Sequence, residues 1–186
     1  MSQACKLFWS TLRKAKIENK VEEFVWKLIH QGLVTETMLV QWNLESNGKC
    51  HFCTVELETL THIFCRCVVA KRFWKWIFDI FHFNKDTTDN FFYVNFFTCA
   101  CKLEYAIVCF AMYTIWQVRN LVKIKNLRNP LVSLKLNFKY RLMSFLRDKY
   151  QWARTTNTLD NFNLNYLSPG VIDIVNETIQ LDISLT

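Results

Sequence analysis

The chain has 186 residues, a net charge of +7, an apolar half that includes sixteen Phe, and only three Gly and two Pro. That length allows one core but not several independent domains, and the shortage of breakers favours long packed helices, an all-α fold. The N-terminus, MSQACKLFWSTLRKAK, lacks the apolar stretch and small-residue cleavage site of a secretory leader. The eight cysteines are therefore expected to stay reduced in an intracellular setting, cytoplasmic or nuclear, and suit a metal better than a disulfide framework.

In chain order, residues 6 to 31 read as helical. Within them Val21, Phe24, Val25, Leu28 and Ile29 recur at the spacing of one helix face, and Gly32 is the expected stop. Thr35 suits the N-cap of a second helix, TETMLVQW, by accepting an unpaired backbone N–H. Asn47-Gly48 signals a tight turn just before Cys50. A third helix over Val68 to Phe83 places Phe73, Trp76, Ile77 and Ile80 inward. NKDTTDN reads as a linker, and the longest apolar run, Tyr105 to Trp116, falls short of the ~20 residues that span a bilayer. It reads as a buried helix, with no membrane partner expected. Pro130 should open a last long helix with Leu131, Leu134, Phe138, Leu142 and Phe145 on its inner face. The expected organisation is a helical domain over 1–154 and an acidic, loosely ordered tail over 155–186, with a possible short strand in VIDIVNETIQLDISL.

The densest chemistry lies in residues 50–67. Cys50-x2-Cys53 puts two sulfurs on one turn, and His62-x4-Cys67 adds an imidazole and a third thiolate, a set suited to one tetrahedral Zn(II). Five residues of ideal α-helix turn through about 500°, ~140° beyond a full turn, so His62 and Cys67 cannot share a helix face. A helical turn must end between them, and the ion then ties a loop to two helices. Four protein ligands leave no open position for water, which argues for a structural ion. Spacing alone leaves Cys65 as an alternative fourth ligand and His51 as a weaker one. Lys49, Arg66, Lys71 and Arg72 stand near enough in sequence to offset the charge of three thiolates. Cys99, Cys101 and Cys109 lie in apolar surroundings without a nearby His and read as buried small hydrophobes.

The string CHFCTVELETLTHIFCRCVVAKRFWKWI resembles the zinc-binding segment that follows reverse transcriptase in non-LTR retrotransposon polyproteins, through Cys50, Cys53, Glu58, Thr59, His62, Ile63, Phe64, Cys67 and Trp74. Upstream, KVEEFVWKLIHQGLVTETML is similar to the same family, and so is IWQVRN at Ile115 to Asn120, which extends the resemblance over about residues 6–126. The resemblance implies Cys67 rather than Cys65 as the fourth ligand, and a polymerase-attached module that helps to hold template RNA or target DNA. No Asp-Asp polymerase signature and no nuclease carboxylate cluster accompanies it. The chain is accordingly expected to be no enzyme by itself, either a truncated element copy or a host-retained gene.

From Arg119 to Arg154 ten basic residues face one acid, Asp148, whereas Thr155 to Thr186 holds four acids and no base. These basic helices, 119–154, are the expected nucleic-acid surface, with Lys123, Lys125, Arg128, Lys135, Lys139, Arg141, Arg147 and Lys149 as candidate phosphate contacts. Arg119 itself, directly after a buried helix, is expected to be structural. An alternative role is protein interaction, with the aromatic residues of Phe91 to Phe97 docking on a reverse transcriptase or on a second copy.

Overall fold

In the computed structural model the described residues are 10, 16–83, 102–168 and 170–183. They are mostly helical, with one small two-stranded sheet, in agreement with the expected fold class. The part of the first helical stretch before residue 16, the aromatic residues 91–97, Cys99 and Cys101 lie outside them.

The elements in order are α1 (Asn19–Ile29), α2 (Glu36–Gln41), a π-helical turn (His62–Arg66), α3 (Val68–Phe81), α4 (Lys102–Lys125), α5 (Pro130–Thr155), α6 (Leu159–Tyr166), β1 (Ile172–Val175) and β2 (Thr178–Leu181). Helix α4 is the central element. It packs against α1, the π turn, α5 and α6, while α5 also meets α3, α6 and β2. Its residues Tyr105 to Met112 are all buried, as are Ile115 and Val118. That explains why the longest apolar run is apolar all round: neighbours cover it on several sides. No helix among the described residues is long and apolar enough to cross a membrane.

The described phenylalanines join the elements through ring contacts. Phe24 lies 5.2 Å from the Tyr113 ring and 6.2 Å from Phe64, joining α1 to α4 and to the π turn. Phe138 of α5 meets Phe73, Trp76 and Phe81 of α3 edge-on at 5.8 to 6.5 Å. Such tilted and edge contacts are favoured by the ring quadrupoles and bring about 0.5–1.5 kcal/mol per pair beyond burial.

Helix ends follow sequence chemistry at Pro130 but not at Gly32. Pro130 stands at the first position of α5 after Asn129 in the left-handed region, as its fixed φ allows. Gly32 is not the left-handed residue that ends α1. Gln31 takes that conformation at φ 55°, and the Gly32 N–H bonds back to the Lys27 carbonyl at 2.7 Å. Asn43, His82 and Asn157 do the same after α2, α3 and α5. With three glycines in the chain, polar side chains take the left-handed positions that glycine usually fills.

The tail expected to be loose is instead packed. Phe162 and Tyr166 of α6 are buried, and β1 and β2 pair antiparallel with Ile172 opposite Leu181 and Ile174 opposite Ile179. Asn176 and Glu177 both have positive φ, the two-residue turn whose twist matches the strands it joins. Ile172, Ile179, Leu181 and Ile183 are buried, so burial of one apolar face secures a segment whose acidic residues point elsewhere.

Candidate metal centre

The turn before the site forms as its residues dictate. Gly48 takes φ 71°, the Lys49 N–H bonds Asn47 Oδ1 at 2.9 Å, and the Gly48 N–H bonds Ser46 Oγ at 3.1 Å. The chain then runs out and back on itself: Cys50 N–H bonds the Glu56 carbonyl and Glu58 N–H the Gly48 carbonyl, both at 2.8 Å. Between these strands the Cys50 to Thr54 turn closes by a 2.8 Å bond from Thr54 N–H to the Cys50 carbonyl. Cys50 and Cys53 thereby point to one place.

Thr59 opens the next turn, its Oγ1 accepting the His62 N–H at 3.0 Å while its carbonyl accepts Ile63 N–H. The segment from His62 to Arg66 is wider than an α-helix. Cys67 N–H reaches back five residues to the His62 carbonyl at 2.7 Å, the bond that defines a π turn. Cys67 then has extended backbone angles and is the N-cap of α3. The helical turn does end between His62 and Cys67, and α3 does begin at Val68. Trp74, midway along α3, donates its Nε1–H to the Phe64 carbonyl at 2.8 Å and so ties the widened turn to the helix after it.

The four donor atoms of Cys50, Cys53, His62 and Cys67 all lie within 4.8 Å of one another. Cys50 Sγ is 3.9 Å from Cys67 Sγ, and Cys53 Sγ is 3.4 Å from His62 Nε2. Zn–N and Zn–S bonds of ~2.0–2.3 Å in a tetrahedron give donor separations of about 3.4–3.8 Å, so donor set and spacing fit one zinc ion. Cys65 is buried but outside this cluster, and His51 turns to Glu36 instead. Glu56 Oε2 lies 3.1 Å from His62 Nδ1. A carboxylate there holds the proton on Nδ1 and leaves Nε2 free to bind metal.

The two facing sulfurs of Cys50 and Cys67 are shifted in opposite directions. Hydrogen bonding to Cys67 and burial raise the Cys50 thiol. The bond from Cys50 lowers Cys67, and against burial the backbone N–H groups of Val69 and Ala70 lower it further. Those amides are the unpaired donors at the start of α3, so a thiolate at Cys67 is held by the helix it caps. Zn(II) supplies the charge that lets Cys50 be a thiolate as well. Lys49, Arg66, Lys71 and Arg72, near the ligands in sequence, are all exposed.

Behind the metal cluster lies a buried ionic knot. Glu58, fully buried, accepts from Arg119 Nε at 3.1 and 3.2 Å and also from Arg119 Nη2. Its oxygens further accept the Glu36 N–H at 3.0 Å and the His51 N–H at 3.3 Å. The N-terminus of α2 is thus capped by a side chain 22 residues away, while the hydroxyl of Thr35, although at the N-cap position, bonds Thr37. Glu36 receives Arg119 Nη2 at 2.8 Å, Lys123 Nζ at 2.5 Å and Ser46 Oγ at 2.6 Å. His51 Nε2 lies 3.0 Å from Glu36 Oε1 at an angle too poor for a hydrogen bond. Burial raises the Glu36 carboxyl, but the hydrogen bonds from Lys123 and Ser46, with the His51 ring beside it and the charge of Lys123, outweigh it and hold it at about 2. Arg119 also stacks over Trp116 at 5.0 Å and bonds Asn120 at 2.9 Å. Its role is structural, as expected. Sequence reading missed Glu36 and Glu56, and a Glu beside a helix start or a ligand pair was the available signal.

The eight candidate phosphate contacts are not gathered on one face. Lys125, Arg128 and Arg147 are exposed. Lys123 pairs with Glu36, and Lys135 is buried with its ammonium over Trp76. Lys139 donates to the Ile183 carbonyl, Lys149 to the Lys16 carbonyl, and Arg141 binds Glu18 and Gln117 above the Tyr113 ring.

Residues 1–74 match the family model described as zinc-binding in reverse transcriptase. With the clustered ligands, this makes the segment a zinc-binding module of the reverse-transcriptase type, with one structural zinc. The match ends at Trp74, short of IWQVRN, although Arg119 of that motif clamps Glu58 within the matched segment. No curated protein and no solved structure matches the chain. The family is an accessory zinc-binding domain, distinct from the catalytic one.

Proposed function

We propose that the chain is a non-catalytic nucleic-acid-binding module, derived from a non-LTR retrotransposon, whose zinc centre holds the frame for RNA or DNA contacts made by α4 and α5. The observation that carries this is the charge segregation, ten basic residues against one acid between Arg119 and Arg154. Lys125 and Arg128 flank the α4–α5 turn, and Arg147 lies about 30 Å further along α5 at 1.5 Å per residue. These exposed cations are spread along α5 and the turn that enters it. An intracellular setting, cytoplasmic or nuclear, suits both this ligand and the reduced thiols.

Native mass spectrometry with and without a chelator, followed by gel shifts at two salt concentrations, tests the reading. One zinc per chain and an affinity that falls by a log–log slope of roughly 0.7–0.9 per neutralised phosphate are expected. Zinc with no nucleic-acid affinity would leave protein interaction. A different observation favours that second role: Trp42, Leu44, Val55 and Leu57 are exposed apolar residues around the knuckle, with Leu57 and Val40 both in contact range of Gly48. Here the partner is a reverse transcriptase or a second copy, and concentration-dependent self-association lost on Trp42→Asp would support it.

A further inference from the structure

The strongest unassigned feature is a pocket of about 210 Å³ between the start of α4, the last turns of α5 and α6. Lys16, Lys102 and Lys149 line it together with Trp152, Phe162 and Tyr166, and no Asp or Glu is among its described lining residues. Three lysines and an aromatic wall share one pocket. We propose that this pocket takes one nucleotide of an unpaired strand, the lysines holding its phosphate and Trp152 stacking on its base. The proposal rests on the nucleic-acid reading above and assigns a strand type and a contact to it.

Several observations agree. Lys149 Nζ donates to the Lys16 carbonyl at 2.9 Å, which fixes the lysine beside the segment that carries a second one. Lys16 Nζ stands 4.8 Å from the centre of the Trp152 ring. Burial, and then repulsion by Lys16 and Lys102, lower the Lys149 ammonium, and only Asp148 opposes them. A phosphate would relieve that repulsion. Trp152 is 52% exposed, so part of the indole remains open to a base, and a stacked base is sequence-tolerant because every base has a π face. The volume is below the ~300–1,000 Å³ of drug-sized ligand sites. It suits a single unstacked nucleotide and leaves no room for a duplex.

The test is fluorescence anisotropy of the full zinc-loaded chain with a labelled single-stranded oligonucleotide, the same strand with abasic sites, and its duplex, each over a salt series. Trp152→Ala is expected to weaken binding of the base-bearing strand about tenfold, with the salt slope, the abasic strand and the duplex unaffected. Lys102→Gln with Lys149→Gln is expected to reduce the single-strand salt slope by about 0.7 per lysine. Unchanged helical circular dichroism and an unchanged thermal midpoint show that each variant is folded. Trp152→Ala with wild-type affinity, or with equal losses on base-bearing and abasic strands, would overturn the pocket while leaving nucleic-acid binding in place. Release of the strand by phosphatidylserine vesicles, but not by unlabelled single strand, would assign the pocket to lipid headgroups and also overturn it. A wild-type chain that binds no nucleic acid overturns the broader reading, and this one with it.

Discussion

The two halves of the molecule are held together by different physics. Between Glu36 and Thr61 few apolar residues are buried, and order there comes from a metal cluster, the wide turn that follows and an ionic knot, each fixed by named polar atoms. Between Lys102 and Tyr166, order comes from apolar area: α4, α5 and α6 interlock through rings such as Phe110 and Phe145 at 5.1 Å and Phe145 and Tyr166 at 5.8 Å. Burial of apolar surface is non-directional and tolerant. A tetrahedral site or a buried ion pair is not, and losing one partner leaves the rest exposed to its full desolvation penalty.

The sharpest way to divide the halves is to remove the ion. Structural zinc sites bind with ~10–16 kcal/mol of free energy coupled to folding. Chelation or Cys53→Ser should therefore abolish hydrogen-exchange protection over residues 36–67 while α4 and α5 keep most of theirs. Uniform loss across the chain would show one cooperative unit and break the contrast. Next in size is the knot. Arg119→Met strands Glu58 as a buried unpaired carboxylate, for which a destabilisation of about 3–5 kcal/mol is expected in urea unfolding. The double variant Glu58→Gln with Arg119→Met should be less destabilised than the sum of the two single changes.

Acid offers a third probe. The Glu36 carboxyl is held at about 2, against 4.5 for the free group. A depressed folded value gives stability that is present above pH 4.5 and lost as pH falls toward 2, at most about 3 kcal/mol by linkage. Thermal melts should show that acid-dependent part missing in Glu36→Gln, which begins less stable at neutral pH. The smallest effect is expected at Glu56, whose carboxylate orients His62 from an exposed position. Glu56→Gln should lower zinc affinity about tenfold in competition with a chelator, the low end for groups that orient a metal ligand. An unchanged affinity would mean that Thr59 and the π turn orient the imidazole unaided.

What could be read in advance tracks sequence distance. The four ligands fall within 18 positions, so spacing and residue type were enough to mark the site, the family resemblance chose Cys67 over Cys65, and amphipathic periodicity placed α1, α3 and α5. The Glu58–Arg119 pair spans 61 residues, and a buried charge looks in sequence like a solvated one. Only the shared appearance of Glu58-Thr59 and IWQVRN in one family hinted at it. Lysines were the hardest to assign, because a long apolar stem lets an ammonium serve a ring or a carbonyl as readily as solvent. Lys135 over Trp76 and Lys139 on Ile183 show both uses. The left-handed Gln31 and His82 gave no signal, since glycine is the residue that marks such positions.

Glu58 has a consequence for the order of assembly. Its neighbours arrive in sequence: the knuckle amide of His51 is 7 residues away, the α2 amide of Glu36 is 22, and Arg119 is 61. The loop between Cys50 and Cys67 spans only 17 residues. Closing it costs about 1 kcal/mol less in chain entropy than bringing Glu58 to Arg119, since loop closure grows with the logarithm of length. During synthesis the knuckle can load zinc before residue 119 has been added, and Glu58 then waits as a charged, hydrated side chain for its guanidinium. The last long-range step is thus a docking event onto a preformed metal loop, with α4 as the incoming part.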